Sequence, residues 1–319
     1  MRALVLGGTG WLGRAIVQEL LAAGADVTCL ARGASGRVPE GARLVRADRR
    51  VPGAYDAVRG DWDEVIELSD EPDLVEPALE ALAEVAAHWT LVSTMSVYAR
   101  NDEPGADESA ALVEPTDTTE YASAKVAAER STAERLGSRS LICRPGLIVG
   151  PGDPSDRFGY WPARLSASGP VVSPSTSGRF VQVIDVADLA AWIAKAGSSG
   201  HTGAVNAIGD PIPMADFFAR VVSVTGFDGE IVEVEDDLLL SNGVRYWSGP
   251  RSLPLWLPRA DVGFAQRSNQ RFARTGGQVR PVEATVGAVL ADERSRGLHR
   301  ARLAGLTKAD ERDVLRQVR

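Results

Sequence analysis

The eight residues LGGTGWLG at positions 6–13 constrain this chain more than any other stretch. They follow a short apolar run, residues 3–6, and lead into apolar residues at helical spacing, so Gly7, Gly10 and Gly13 fall where a first strand turns into a first helix. Gly7 suits a tight turn, Gly10 lets the backbone approach a pyrophosphate, and Gly13 allows close packing of helix on strand. With Thr9, Trp11 and Leu12 between them, the three glycines present the free amides of a helix start to phosphate. The spacing is GxxGxxG.

Short apolar runs then alternate with helical patterns. A helix over 11–23 is closed by Gly24, and strands are expected near 26–30, 44–45 and 64–68. A helix over about 74–88, a strand at 90–93, a helix from Tyr121 to about 136 and a strand at 140–143 continue the series. Such alternation predicts an α/β, Rossmann-type doubly wound parallel sheet. From 150 to 180 the chain is rich in Gly, Pro and Ser and reads as a long loop with about one helical turn. The stretch 180–196 reads as a strand feeding a helix, its N-terminus carrying Asp185 and Asp188, and 203–209 as one more strand, both additions to the sheet. Thr307 and Asp310 hold capping-box spacing before a last helix. The expected division is a nucleotide-binding part, 1–165 with 181–209 returning to it, and a smaller substrate-binding lobe, 166–180 and 210–319.

Composition excludes several classes. The net charge of -8 argues against a general affinity for nucleic acid. The opening apolar run is too short for a signal segment, and no run of eighteen apolar residues offers a membrane span. Cys29 and Cys143 sit in apolar strand-like runs and are expected as buried thiols in a reducing, cytoplasmic setting. His88, His201 and His299 have no spacing that suggests a metal site or a triad, so no metal is expected.

YASAK, residues 121–125, places a tyrosine and a lysine one helical turn apart in a chain with only three lysines among 35 basic residues. A free phenol titrates too high to exchange protons readily near neutrality, and a neighbouring ammonium favours its phenolate. A plain helix-surface pair is the alternative. A hydroxyl that fixes a substrate oxygen beside the phenol would complete the set. STMSVY, 93–98, offers three candidates, with Thr94 and Ser96 on one side of the strand and Ser93 on the other.

The glycine turn, STMSVY and YASAK, in this order, resemble the extended short-chain dehydrogenase/reductase family, related to NAD-dependent epimerase/dehydratases. RPGLIVGPGDPSDRFGYWP and FVQVIDVADLA are similar to a bacterial isoflavone-reductase-like subgroup. The resemblance covers about residues 1–210. It implies Tyr121 as general acid/base, Lys125 as the residue that tunes it and bonds the nicotinamide ribose, and Thr94 as the residue that orients the substrate oxygen. It also implies cofactor contacts from Tyr121, Asp48, Leu68, Ser69 and Pro145, and frequent homodimers.

Where an NAD-binding member usually carries an acidic residue after the second strand, this chain has Ala31, then Arg32, with Arg37 nearby. A guanidinium suits a 2′-phosphate, so NADP(H) is expected ahead of NAD(H). Ser96, Arg157, Tyr160, Trp161 and Gln182 are the candidate substrate contacts, because aromatics beside arginines suit a flat or anionic molecule; a core role for the aromatics is the alternative. Met95 and Ser96 stand where family 4,6-dehydratases carry an Asp-Glu pair, which disfavours elimination. The expectation is an NADP(H)-dependent oxidoreductase acting on a small-molecule carbonyl or alcohol. A nucleotide-sugar epimerase with tightly bound NAD is the first alternative, and a non-catalytic dinucleotide-sensing or RNA-associated protein the second.

Overall fold

The computed structural model describes residues 1–69 and 71–318. Its first strand, β1 (Arg2–Leu6), is buried from Ala3 on, as befits a parallel strand covered on both faces. Alternate residues serve opposite layers. Ala3 and Val5 pack with Ile16, Val17 and Leu20 of α1 (Trp11–Ala22) and with Leu189 and Ile193 of a later helix, while Leu4 and Leu6 pack with Val75, Leu79 and Leu82 on the other face. Gly24, at φ +77, turns the chain out of α1, where a Cβ would be strained.

Six further strands complete the central sheet: β2 (Asp26–Ala31), β3 (Arg43–Arg46), β4 (Trp62–Glu67), β5 (Ala86–Val92), β6 (Ser140–Pro145) and, later, 203–207. All six pairings are parallel. In spatial order the strands run 203–207, β6, β5, β4, β1, β2, β3, so the order reverses between β1 and β4. Ligands of open α/β sheets bind beyond the strand ends at such a point. Two helices cover one face: α2 (Pro72–Leu82) and α3 (Tyr121–Leu136), whose buried side is built largely of small residues with Lys125 and Glu129 set among them.

The expected helix over 74–88 is shorter. After Leu82 a single tight turn leads into β5 at Ala86, because AAHWTLV has to match the length of β4 beside it and buries six of its seven residues. Tertiary pairing overrides the alanine-rich local preference. Beyond β6 come β7 (Leu147–Val149), α4 (Arg157–Arg164), β8 (Val171–Pro174), β9 (Phe180–Val181), β10 (Val183–Asp185), α5 (Val186–Ile193), α6 (Ala196–Ser199) and β11 (Gly203–Ala207). The expected loop thus contains a full helix and a strand. Only β11 joins the sheet; β10 pairs with β7 and β9 with β12 (Ile212–Pro213), so residues 180–185 lie outside it. Asp185 caps α5 by accepting from Ala187 N at 2.9 Å.

The remaining helices are α7 (Met214–Thr225), α8 (Asp236–Ser241), α9 (Gln270–Arg274), α10 (Val282–Arg296) and α11 (Lys308–Val318). A second apolar core joins Leu147, Phe158, Trp161 and Val172 to Phe217, Val286 and Leu315. Glu311 of α11 ties it together, accepting from Val172 N at 2.9 Å and Arg164 Nε at 2.8 Å. The capping box forms: Asp310 N donates to Thr307 Oγ1 at 3.1 Å, and Thr307 N to Asp310 Oδ2 at 3.0 Å. Cys29 and Cys143 are free and buried, and burial pushes the Cys29 thiol up to about 12. No helix among the described residues is long and apolar enough to cross a membrane.

At the other end of the sheet, Glu64 and His88 face each other in register on β4 and β5. His88 Nε2 lies 2.7 Å from the His201 carbonyl, which only accepts, and Nδ1 lies 2.6 Å from Glu64 Oε2. Both contacts need a proton, so the pair holds one more than a neutral imidazole beside a carboxylate. Burial pushes Glu64 up; at His88 burial pulls downward, but the Glu64 bond and charge and the His201 carbonyl outweigh it. Below the ordinary histidine value of 6.5 both folded and unfolded chains carry this proton. Above it the unfolded chain releases the proton and the folded pair keeps it, so stability falls as pH rises until the folded pair titrates. The urea midpoint is therefore expected to drop between pH 6 and pH 9, and His88→Gln to remove part of that slope. An identical slope in the variant would reject the protonated pair.

Candidate active site

Gly7 opens the site at φ +102, its amide donating to Leu30 O of β2 at 3.1 Å. Gly10 caps α1 without a side-chain hydrogen bond, and no acidic residue occupies the first turn. The amides there await an acceptor from outside the helix. A Cβ on Gly13 would stand 2.5 Å from the Gly7 carbonyl and 2.9 Å from Gly8 Cα, so only glycine lets the helix approach the turn this closely. Gly7, Thr9, Gly10, Trp11, Leu12 and Gly13 line one cleft of about 340 Å3, together with Arg32, Asp48, Leu68 and Ser69. This cradle of uncapped amides over small residues fits a dinucleotide pyrophosphate.

Arg32 and Arg37 separate. Arg32 is exposed on the cleft wall beside Ser35, and no ion pair among the described residues involves it. Arg37 is exposed and does not line the cleft, since the turn at Gly33 and Gly36 carries it past the opening. Arg49 and Arg50 were not anticipated there. Arg49 is spent on the buried carboxylate of Glu67 and the Leu74 carbonyl, and Arg50 pairs with Glu71 at the surface.

A second cleft of about 430 Å3 shares Trp11, Leu12 and Leu68 with the first. Thr94, Ser96, Tyr121, Lys125, Pro145 and Arg157 all line it. β5 stops at Val92, and Thr94 caps a short turn over Met95–Val97, accepting from Ser96 N at 3.2 Å. The Thr94 and Ser96 hydroxyls stand 3.4 Å apart, brought together by this turn and not by strand alternation. Ser93 is engaged elsewhere, donating to Glu129 of α3.

Tyr121 begins α3 and is 49% exposed, whereas Lys125, one turn on, is buried. Lys125 Nζ donates to Val92 O at 2.7 Å and Ser69 O at 3.1 Å, bridging the ends of β5 and β4. Behind it, Glu129 takes both arms of Arg144 from β6, with Nε at 3.0 Å and Nη2 at 2.6 Å, in a setting where both are buried. Arg144 Nη1 also donates to Tyr98 OH at 3.0 Å, which donates to Asn206 Oδ1 at 2.6 Å.

Arg157 stands over the Trp247 ring, 5.2 Å from its centroid, a cation–π geometry. Burial lowers the Arg157 guanidinium, with Asp153 and Tyr121 acting in the opposite sense. Burial also raises Asp153, with Ser155 donating two hydrogen bonds against it. Trp247 and Phe264, which share this wall, come from segments far along the chain and carried no signal in the sequence.

Three expected substrate contacts lie elsewhere. Trp161 is buried against Phe218, with Nε1 donating to Pro254 O at 2.8 Å. Tyr160 is buried beside it, under Gly305, and faces a different cavity. Gln182 is buried and spans Gly209 O and the backbone of Arg267. These are core and bracing residues. Their partners come from segments as distant in sequence as Pro254, Arg267 and Gly305, which is why the aromatic-plus-arginine pattern misled.

A model of the NAD dependent epimerase/dehydratase family matches residues 3–209. A dTDP-6-deoxy-L-talose 4-dehydrogenase (NAD(P)(+)) of Kitasatospora kifunensis is 29% identical over 192 residues, which span 52% of this chain and 59% of that relative. Among solved structures, the Thermus thermophilus UDP-glucose 4-epimerase complex with NAD superposes with a TM-score of 0.65 at 20% identity, over 93% of this chain and 100% of that one. The UDP-glucuronic acid 4-epimerase from Bacillus cereus, in complex with NAD, gives 0.68 at 13% identity, over 93% and 99%. At these identities the two structures bear on fold.

Proposed function

This chain belongs to the NAD-dependent epimerase/dehydratase family, and from that premise we propose that it is an NADP(H)-dependent oxidoreductase acting on a carbonyl or alcohol of a small molecule. One observation carries the reading: Thr94, Ser96, Tyr121 and Lys125 converge on a cleft that runs into the glycine cradle, with Arg32 at its far wall. The nicotinamide, when bound, supplies or accepts the hydride. Gly7, Gly10 and Gly13 would hold its pyrophosphate, Arg32 its 2′-phosphate, and Lys125 its ribose. Thr94 and Ser96 orient the substrate oxygen, and Tyr121 gives or takes its proton. The half-exposed phenol keeps contact with solvent for proton exchange. Arg157, steadied on Trp247, presents a charge to a polar or anionic part of the substrate. In the same proposal, residues 1–165 with 181–209 serve the cofactor and 166–180 with 210–319 the substrate, and the reductase-like subgroup is the closer kin. The likeness to a 4-dehydrogenase supports oxidation and reduction over epimerisation.

The test is a fluorescence titration of nucleotide-stripped protein with NADPH and with NADH. NADPH is expected to bind at least tenfold more tightly, and Arg32→Ala to erase most of that difference while leaving NADH affinity nearly unchanged. A preference for NADH would overturn the 2′-phosphate assignment and move the reading to an NAD-holding epimerase. Binding of neither would overturn the cofactor reading. Tight binding with no turnover of any carbonyl or alcohol would favour a dinucleotide sensor.

A further inference from the structure

On the far side of α4 from Arg157 lies a cavity of about 410 Å3, bounded by α4 and by residues 298–308, the segment that leads into α11. Arg164, His299, Arg300, Arg302 and Lys308 line it, and no carboxylate among the described residues does. In a chain of net charge -8 this is a local reversal of sign. The acidic residues lie behind the wall and are engaged. Glu293 accepts from Arg300 at 2.8 Å and Arg302 at 2.5 Å, Glu311 from Arg164 and Val172 N, and Asp156 from Arg300, Arg296 and Leu303 N.

Two further observations bear on what the cavity would take. The Arg300 and Arg302 side chains stay 18% and 12% exposed while paired with Asp156 and Glu293, so both still present guanidinium edges to the cavity. Lys308, one of only three lysines, occupies the first position of α11, where the helix dipole disfavours a cation. No ion pair among the described residues relieves it. A multiply charged anion in the cavity would accept from the arginine edges and give Lys308 a counter-charge, beside the carboxylates of Asp310 and Glu311 that already serve the first turn of α11.

We propose that this cavity binds a multiply charged oxyanion of a small molecule, phosphate-bearing or polycarboxylate, at a site separate from the nucleotide cleft. Arg300 also holds Asp156, whose neighbour Arg157 lines the catalytic cleft, so the two sites share a structural contact.

The experiment is isothermal titration of the full chain with pyrophosphate and with citrate, each against sodium chloride of matched ionic strength. Gly10→Asp serves as the background, because it sets a carboxylate over the free amides at the start of α1 where pyrophosphate would otherwise bind. In that background saturable binding is expected to persist. Adding Lys308→Glu, an exposed position whose change should not disturb folding, is expected to weaken it at least tenfold, with His299→Glu on the same rim as a second variant. Stronger binding of pyrophosphate identifies a phosphate ligand, and stronger binding of citrate a polycarboxylate. The site is rejected if neither anion binds beyond the salt control, if binding vanishes with Gly10→Asp alone, or if both rim variants weaken it less than threefold.

Discussion

Tyr121→Phe is expected to lower turnover by about a hundredfold to ten-thousandfold, the span a positioned general acid contributes, while NADP(H) affinity changes little. The phenyl ring keeps the shape of the side chain at the start of α3, and its half-exposed position means that no buried donor is orphaned. Folding should be unaffected. Because the lost interaction belongs to the proton-transfer step, kcat should carry most of the effect and KM little of it. Steady-state kinetics with a screened carbonyl substrate, read beside the NADPH titration, makes the check. If the variant retains more than a tenth of wild-type kcat, Tyr121 is not the proton donor, and Ser96, the other exchangeable hydroxyl beside Thr94, becomes the candidate.

The largest effect on stability is expected from Glu129→Ala. Removing this carboxylate leaves the Arg144 guanidinium buried with Tyr98 OH and the Glu108 carbonyl as its remaining acceptors. A buried charge stripped of its partner costs about 3–5 kcal/mol. Ser93, whose hydroxyl donates to the same carboxylate, loses its anchor as well, immediately before Thr94. Both stability and activity should therefore fall. Urea denaturation measures the first, and the double variant Glu129→Leu, Arg144→Met gives the control. With both charges gone, the double variant should be more stable than the single one. A single variant within about 1 kcal/mol of wild type would mean that water reaches Arg144 and the pair is not sealed from solvent.

What could be read from the sequence follows the range over which each feature is determined. The turn at Gly7–Gly13 and the strands beside it depend on neighbours a few residues away, and local order was enough. Thr94, Tyr121 and Lys125 were legible as neighbours of one cleft, because the end of β5 and the start of α3 meet at one edge of the sheet. Tyr160, Trp161 and Gln182 were not, because an aromatic in a Gly/Pro-rich stretch looks the same whether a cleft or Phe218 receives it. Trp247 and Phe264 reach the site from segments with no regular pattern. The pairing of Glu64 with His88 lay within reach: once β4 and β5 are neighbours in register, the two residues are opposite each other, and only the misplaced end of the preceding helix hid the match.

The second core has a consequence for the order of folding. It draws on β7 and α4 at one extreme and on α11 at the other, and Glu311 closes it by bonding Val172 and Arg164 about 140 positions earlier. Contacts of such separation form late, since a long loop must be closed before they stabilise anything. On a ribosome, the glycine cradle and the sheet around it can be complete while Phe158, Trp161 and Phe217 still lack the helices that cover them. Over that interval the nascent chain exposes an aromatic surface beside a nearly finished nucleotide cleft. Synthesis of α11, more than any step in the sheet, is therefore the step expected to close that surface.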